Sequence, residues 1–477
     1  MSSTRKVSTE LSIQLLIISL ILAVVAAHSL RDWHFGVGAC VLIGFLQDPI
    51  RKFVPGEPAY LSLLIGPLLF IALMGMRNAY RGFYWGPLYG WNIRAKTALN
   101  AYILIIVLQV LHGFVSTGSA QIAIIGVVNY VVPILVLLLL CSYFSTVYDD
   151  LRVVRLYVIM AAGMISGVYF EVFDLGLPLL GSVGPGVYMT SWGYDAVKLP
   201  SGFFRAAETA AWHGANAIMM TVVLAVSRKR SIGGAFVSGL IVIIILGAVL
   251  LTGRRKMIVD LFLFVSVYWL LLVFYGREKR RLFLTVLVPA VLGLSFYVGI
   301  YKDGGYGQLD VYASRNSELA NSAEGRFVTM TYYATRAAIS AGGVVGHGAG
   351  VASQGSQHTG VDKSAQSWAA EAGGGKIIIE LGVPGFLVTV WLLIAYVGSI
   401  RVGIREAVRN DWGDVPVLLG FIAIVFSNSI VFMTASQVFG DPFVLFVISM
   451  LVAYIFAKIH SQNLELNGYA SGAGPVS

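Results

Sequence analysis

The stretch "AIIGVVNYVVPILVLLLLCSYF", residues 123–144, contains no charged side chain. An α-helix of about 20 apolar residues is long enough to cross the hydrocarbon core of a bilayer, which is roughly 30 Å thick. Similar runs recur along the chain, for example "LSIQLLIISLILAVVAA" at 11–27 and "GLIVIIILGAVLL" at 239–251. Their repetition predicts an all-α, polytopic transmembrane bundle.

The overall composition agrees with this class of protein. Of the 477 residues, 57% are hydrophobic and 12% are charged, whereas a soluble domain carries about 25% charged residues. The net charge of +9 does not indicate a nucleic-acid partner, because excess Lys and Arg in membrane proteins belongs mainly to cytoplasmic loops. Cys40, Cys141 and the seven histidines lack the spacing of a disulfide framework or a metal site. We therefore expect no metal and no cofactor.

The apolar runs predict about twelve to fourteen membrane crossings within one transmembrane domain over 1–460, followed by a disordered cytoplasmic tail over 461–477. The second predicted segment is short for a full crossing. The predicted segments are 11–28, 34–47, 57–76, 99–116, 122–143, 153–172, 211–227, 233–251, 257–275, 282–301, 376–399, 414–432 and 437–458.

Basic loops predict the orientation of the C-terminal half. The loops at 227–231, 276–281 and 400–412 are rich in Lys and Arg, so we expect them in the cytoplasm. This orientation places the loop 173–210 and the large loop 302–375 on the outer, periplasmic side. Loops of such length in a compact protein are usually functional.

The N-terminal half does not follow the same rule. The motif "DPIRKF" (48–53) and the loop 77–98 flank one predicted span, and both are basic. Either one of them violates the positive-inside rule or segment 34–47 is re-entrant. The parity of the crossings stays open at this point.

The motif "SGFFRAAETAAWHGAN" (201–216) combines a cation, an acid and an imidazole at the outer end of a span. We expect Ser201 to cap the helix. On a helix, Arg205 and Glu208 lie within about 60° of each other, and His213 lies about 80° from Arg205. These side chains form a candidate site, or alternatively an Arg–Glu pair with an interfacial histidine.

Three successive cations, Arg254, Arg255 and Lys256, follow in "LTGRRKM" (251–257). On the outer side, cytoplasmic anchoring does not explain them. An anionic ligand does, because guanidinium groups bind phosphate oxygens at two points. The alternative is a cluster of snorkelling side chains at the interface.

The large loop contains two further motifs. "AEGRFVTMTYYATRAAIS" (323–340) includes Arg326 and Arg336, and we expect a short amphipathic helix on the bilayer whose arginines can still face inward. "GGVVGHGAG" (342–350) predicts tight turns and close backbone approach. It lacks the strand–turn–helix context of a nucleotide-binding fingerprint.

The stretch "SWAAEAGGGKIIIELGVPGFL" (367–387) leads into the next span. Lys376 and Glu380 are spaced i,i+4, which predicts that they pair on one helix face. Glu371 precedes three glycines, which we expect to separate it from that helix and let the backbone turn. A partly desolvated carboxylate at a membrane-facing cavity has a raised pKa and can serve as a general base.

Together and in this order, these motifs resemble the O-antigen ligase and polymerase superfamily, bacterial membrane glycosyltransferases that act on undecaprenyl-diphosphate-linked glycans. The resemblance covers roughly residues 160–400. It is carried by "SGFFRAAETAAWHGAN", "LTGRRK", the arginine of "EGRF", "GHGAG" and "IIIELGVPGFL". The last is similar to the family's "ELGxxG" signature.

The resemblance implies a fold similar to the C-type glycosyltransferases, metal-independent chemistry and a site at the periplasmic face. It implies that Arg205 and Arg326 hold the donor's diphosphate. Arg254 and Arg255 are the next candidates for the same role. Arg336 and Lys376 complete the predicted set of diphosphate-binding residues.

The catalytic base departs from the family pattern. Ligases of the family have a histidine nine residues before the glutamate of "ELG", where this chain has Glu371. A carboxylate can abstract the same proton, so Glu371 is the predicted base. Rival bases are His347, His358 and the pair of Glu208 with His213.

The predicted function is that of a polysaccharide polymerase in the bacterial inner membrane. Its donor is an undecaprenyl-diphosphate-linked oligosaccharide, and its acceptor is a hydroxyl of a lipid-linked repeat unit. The alternatives are an O-antigen-type ligase with another acceptor and a lipid-linked oligosaccharide flippase. Expected partners are membrane lipid and a chain-length regulator or flippase.

Overall fold

A computed structural model of the chain contains, among the residues that it describes, ten helices long and apolar enough to cross a membrane. The protein is therefore a multi-pass helical membrane protein, as the apolar runs predicted. The ten helical segments are Gln14–Arg31, Ala59–Tyr80, Ile93–Thr117, Ala120–Thr146, Arg152–Val172, Ala207–Val226, Arg255–Tyr275, Gly373–Arg409, Val415–Thr434 and Pro442–Ser461.

The structure describes residues 2–83, 85–89, 93–147, 150–183, 188–189, 197–227, 232–275, 328–353, 355–356, 359, 368–410, 412 and 415–466. A shorter apolar helix covers Phe236–Leu251. The predicted span 282–301 lies outside the described residues, so the total of twelve to fourteen crossings stays a prediction.

The chain divides into two compact units, and the first comprises Met1–Tyr80 and Leu151–Ser322. Its core includes the fully buried side chains of Phe45, Tyr157 and Trp212. A two-stranded antiparallel pair, β1 (Tyr188–Met189) with β2 (Val197–Lys198), lies in the loop predicted as outer. The helices are α1 (Ser2–Arg31), α2 (Trp33–Phe53), α3 (Ile65–Tyr80), α8 (Arg152–Val172), α9 (Ala207–Ser227), α10 (Ile232–Leu251) and α11 (Arg255–Tyr275), with a 3₁₀ turn at Ala59–Leu63.

The second unit comprises Arg81–Asp150 and Ala323–Ser477. Within it, the helix Gly373–Arg409 (α13) packs against Ile93–Thr117 (α5) and Ala334–Gly342 (α12), and Pro442–Leu466 (α15) packs against Val132–Thr146 (α7). Its helices are α4 (Gly86–Tyr89), α5 (Ile93–Thr117), α6 (Ala120–Tyr130), α7 (Val132–Thr146), α12 (Ala334–Gly342), α13 (Gly373–Arg409), α14 (Val415–Thr434) and α15 (Pro442–Leu466). Shorter helical turns cover Thr329–Tyr333, Trp368–Glu371 and Ser436–Gly440.

Several predicted bounds need correction. The second segment is a helix of 21 residues, Trp33–Phe53, and not a short piece over 34–47. The last helix continues to Leu466, so helix replaces the first six residues of the predicted disordered tail. Helix ends depend on capping and packing, which apolar runs do not report.

The helix α13 is interrupted at Gly382, where φ is 73° and ψ is 178°. The interruption divides α13 into a short N-terminal part ending at Leu381 and a longer C-terminal part. A break leaves backbone N–H and C=O groups without partners inside the helix. In a membrane protein these groups need partners within the protein, and the second unit supplies them.

Candidate functional site

The loop that precedes α9 carries Arg205. Helix α9 begins at Ala207, so Arg205 lies before the helix and Ser201 is not its cap, contrary to the prediction. The helical-face relation predicted between Arg205 and Glu208 is therefore wrong. The side chain of Arg205 is half-buried, and its position depends on the conformation of the loop 201–206.

Three charged side chains hold the backbone of this loop. Glu171 Oε2 accepts hydrogen bonds from the N–H groups of Ser201 and Gly202, both at 2.8 Å. Lys52 Nζ donates to the carbonyl oxygens of Gly202 at 2.8 Å and Phe204 at 2.6 Å. Asp48 Oδ2 accepts from the Arg205 N–H at 3.0 Å. Hydrogen bonds to charged groups are the stronger kind, so the loop is firmly held.

Helices α9 and α11 meet at their first turns. Lys256 Nζ pairs with Glu208 Oε1, and both side chains are largely buried, 24% and 13% exposed. Arg254 and Arg255 lie directly before Lys256, half-buried, where α11 begins. Helix N-termini carry partial positive charge. Four cations, with Arg205, therefore lie within two residues of the start of α9 or of α11, and the Lys256–Glu208 pair joins these two helix starts.

The predicted catalytic role of His213 does not fit its placement. His213 is 1% exposed, and its ring stacks on that of Phe204 with centroids 5.3 Å apart. Its Nδ1 lies 2.9 Å from the Tyr157 hydroxyl. Trp212 is also fully buried. His213 is thus a hydrogen-bonded core residue that supports the loop through Phe204, and an acceptor hydroxyl cannot reach it in this structure.

In the second unit, the glycine-rich loop 343–353 fits the break in α13. The N–H of Val383 donates to Val344 O at 2.9 Å, and the N–H of His347 donates to Ile379 O at 2.8 Å. Gln109 Nε2 donates to Val345 O at 2.9 Å. The predicted tight turns are present, because Gly346, Gly348 and Gly350 all have positive φ. The loop and the break therefore supply hydrogen-bond partners to each other.

Glu380 is the buried anchor of this arrangement. Its side chain is 0% exposed and accepts three hydrogen bonds: from Tyr130 Oη at 2.5 Å, Ser353 Oγ at 2.8 Å and Ala352 N at 3.0 Å. Asn129 Nδ2 in turn donates to Ser353 Oγ at 2.6 Å. The predicted pairing of Glu380 with Lys376 is therefore wrong, because both carboxylate oxygens are engaged elsewhere.

Replacing Glu380 by glutamine is expected to destabilise the protein by about 1–3 kcal/mol. Both oxygens of the carboxylate accept hydrogen bonds, and an amide nitrogen cannot accept. The Tyr130 hydroxyl can turn to accept from the new amide, which limits the loss. The measurement is the apparent melting temperature of the purified protein in detergent. Glu371→Gln, at an exposed carboxylate, is the control, and equal melting temperatures of the two variants would contradict this role of Glu380.

Glu371 ends a 3₁₀ turn, Trp368–Glu371, directly before α13. Its side chain is exposed, so the predicted partial desolvation is absent from this structure. The three following glycines are helical and form the first turn of α13, which corrects the predicted turn at this point. A Cβ at Gly375 would collide with the carbonyl oxygen of Ala369. Close packing, and not a hinge, explains that glycine.

The remaining predicted site residues of the second unit differ in burial and in their hydrogen-bond partners. Lys376 is 7% exposed, and its amine forms no hydrogen bond or ion pair with the described residues. Arg336 lies on α12 and is exposed, as are Tyr332 at 62% and Tyr333 at 51%. The predicted amphipathic helix is thus present, and Arg336 does not face inward. His347 Nε2 lies 2.9 Å from Ala341 O.

The predicted site residues are distributed over both units. The first unit contains Arg205, Glu208, His213, Arg254 and Arg255, and the second contains Arg336, Glu371 and Lys376. Arg326 and His358 lie outside the described residues. Within those residues, no group of three or more His, Cys, Asp and Glu side chains is placed to hold a metal ion.

Sequence reasoning missed the residues that hold the loop and the buried anchor. Asp48, Lys52 and Glu171 contact the Arg205 loop from α2 and α8, and Tyr130 contacts Glu380 from α6. One signal pointed to the first two: "DPIRKF" and the loop 77–98 are both basic although they flank one predicted span, which the positive-inside rule does not explain. No comparable signal marked Tyr130.

A scan against models of protein families and a search of curated proteins both found no match to this chain.

Proposed function

We propose that this protein is a membrane polysaccharide polymerase of the O-antigen polymerase and ligase type. Its donor is a glycan linked to undecaprenyl diphosphate, and its acceptor is a hydroxyl of a second lipid-linked repeat unit. The reaction takes place at the outer face of the bacterial cytoplasmic membrane. The enzyme needs no metal ion, because cationic side chains take the place of a metal at the diphosphate.

The observation that carries the proposal is a cluster of cations, Arg205, Arg254, Arg255 and Lys256, at the starts of α9 and α11. The two helix starts are in contact through the Lys256–Glu208 pair. Arg205, Arg254 and Arg255 are half-buried there, and Lys256 pairs with Glu208. Cations and helix N-termini both favour a bound anion, and guanidinium groups match phosphate oxygens in geometry. A diphosphate headgroup is a ligand that suits this cluster.

The chemical step is a substitution at the anomeric carbon of the donor. A general base accepts the proton of the acceptor hydroxyl as its oxygen attacks that carbon, and Glu371 is the candidate for this role. A C–O bond to the acceptor forms, and the C–O bond to the diphosphate breaks with its electron pair. Undecaprenyl diphosphate leaves with the additional negative charge, which Arg205 and its neighbours stabilise. The exposed side chain of Glu371 is open to an incoming acceptor.

The test is an assay with purified protein in lipid nanodiscs and an undecaprenyl-diphosphate-linked repeat unit as sole substrate. We expect products longer than one repeat unit, formed equally well with EDTA. Glu371→Gln should lower the rate by roughly a hundredfold or more, the contribution of a general base. Asp174→Asn, at an exposed carboxylate, is the matched control. If the wild type makes no polymer, or if Glu371→Gln keeps the normal rate, the proposed chemistry is wrong.

A ligase would share this donor and this chemistry, and adding a separate acceptor to the same assay distinguishes it. A ligase would consume the donor only in the presence of that acceptor.

A transporter of lipid-linked oligosaccharides is the second candidate, because one observation favours it. Transporters often bind their substrates at interrupted helices, and α13 is interrupted at Gly382. Reconstitution in liposomes with a fluorescent lipid-linked repeat unit separates the two functions. A transporter moves the lipid across the bilayer without lengthening the glycan, and the polymerase lengthens it without needing a second compartment.

A further inference from the structure

The motif "DPIRKF" at the end of α2 belongs to the same local structure as the Arg205 loop. Lys52 and Asp48 bind the backbone of this loop directly, through Gly202 O, Phe204 O and Arg205 N. The end of α2 therefore lies on the same side of the membrane as the loop 173–210. On the outer side, its positive charge cannot serve as a cytoplasmic anchor, so Arg51 and Lys52 need another explanation. The hydrogen bonds of Lys52 to the loop explain its positive charge at this position. They do not explain the positive charge of Arg51.

Two of the three guanidinium nitrogens of Arg51 donate hydrogen bonds within the protein. Its Nε donates to Glu57 O at 2.9 Å, and one terminal nitrogen donates to Ser62 Oγ at 3.4 Å. Its other terminal nitrogen has no hydrogen-bond partner among the described residues. The side chain is half-buried. A guanidinium that two hydrogen bonds already orient loses little further freedom when its remaining N–H groups bind a ligand.

Arg51 lies close enough to Arg205 for their charges to repel. The pKa of Arg51 is lowered, first by burial and then by Arg205, whereas Asp48 and Glu57 act in the opposite direction. Two half-buried guanidinium groups of like charge repel each other, and Asp48 and Glu57 offset part of this repulsion. A bound anion would reduce this repulsion further and could engage both groups.

We propose that Arg51 is a second guanidinium ligand, beside Arg205, for the diphosphate group of a lipid-linked donor. This inference rests on the proposed function, because that function supplies the diphosphate. A diphosphate has oxygens on two phosphorus atoms, and two guanidinium groups can bind them at two points each. Asp48 and Lys52 position Arg205, while Arg51 contacts the ligand itself. The basic motif thus has its charge on the outer side because it serves an anionic substrate.

The experiment measures binding and does not depend on turnover. Purified protein in nanodiscs is titrated with undecaprenyl diphosphate and, separately, with inorganic diphosphate, which distinguishes a lipid headgroup from a free anion. We expect Arg51→Gln to weaken the binding of undecaprenyl diphosphate by roughly tenfold or more. Arg51→Lys keeps the positive charge but lacks the planar pair of N–H donors of a guanidinium group. It should weaken the binding of undecaprenyl diphosphate by roughly threefold to tenfold. Arg31→Gln, at an exposed arginine of the same unit, is the control and should bind like the wild type.

The outcomes separate this inference from the proposed function. If Arg205→Gln weakens binding and Arg51→Gln does not, the role of Arg51 is wrong and the proposed function survives. If neither variant differs from the wild type, or if the wild type does not bind, both fail. If Arg51→Gln does not insert into membranes, the affinity of Arg51→Lys tests the role of Arg51 instead. An unchanged affinity of Arg51→Lys for undecaprenyl diphosphate would contradict the two-point contact between the Arg51 guanidinium and the diphosphate.

Discussion

Replacing Arg205 by alanine is expected to lower polymer formation by roughly 10³-fold without unfolding the protein. The positive charge is lost where the diphosphate leaves. The hydrogen bonds that hold the loop involve the backbone of residue 205, through its N–H to Asp48 and its carbonyl oxygen to the Val183 N–H. Alanine keeps both. The loss should therefore appear in the catalytic rate and in the donor concentration dependence, and not in the melting temperature.

The measurement for Arg205→Ala is the initial rate of polymer formation over a range of donor concentrations. Arg401→Ala, at an exposed arginine on α13, is the control for the loss of one positive charge and should keep the normal rate. A rate for Arg205→Ala within tenfold of the wild type at low donor concentration would be incompatible with the predicted diphosphate contact (roughly two-thirds of the expected loss in free energy would then be missing).

Replacing Gly382 by alanine is expected to prevent stable folding of the second unit. The backbone there has φ 73° and ψ 178°, a region that only glycine adopts readily, and the strain alone costs about 1–3 kcal/mol. A Cβ would also lie 2.6 Å from the carbonyl oxygen of Val344. Relief of that collision would displace the loop 343–353, with its hydrogen bonds to Ile379 and Val383. The combined loss should exceed about 4 kcal/mol, a large part of the stability of a typical domain.

The measurement for Gly382→Ala is the fraction of monodisperse protein after extraction, together with its apparent melting temperature. Gly398→Ala is the matched control in the same helix. A Cβ at Gly398 meets nothing within 4 Å, and alanine there should stabilise the helix by about 0.5–1 kcal/mol. If Gly382→Ala melts at the temperature of the wild type, the break in α13 is not a fixed feature of the fold.

The two carboxylates Glu371 and Glu380 lie nine residues apart in one motif but in different environments. The sequence pairs Glu380 with Lys376 by spacing, and the structure instead buries Glu380 among donors from α6 and the glycine-rich loop. Glu371, nine residues earlier, stays exposed. Two carboxylates of one motif thus have separate roles: Glu380 stabilises the break in α13, and Glu371 is available for chemistry under the proposed function.

The sequence by itself determined that this is a multi-pass helical membrane protein, with most spans placed within a few residues. A membrane span requires a local property, namely about 20 consecutive apolar residues, and local properties can be read from the chain. The glycines of "GHGAG" likewise predicted tight turns, because positive φ is a property of a single residue.

Only the tertiary structure decided what surrounds the charged residues. Lys52 and the loop at 202–204 are about 150 positions apart in the chain, as are Asp48 and Arg205, and Tyr130 is 250 positions from Glu380. Spacing on one helix can suggest neighbours three or four residues apart, but it cannot report partners that packing brings from another helix. A buried charge takes whichever partners the packed helices bring within hydrogen-bond distance, because leaving it without them costs more than any local preference gains.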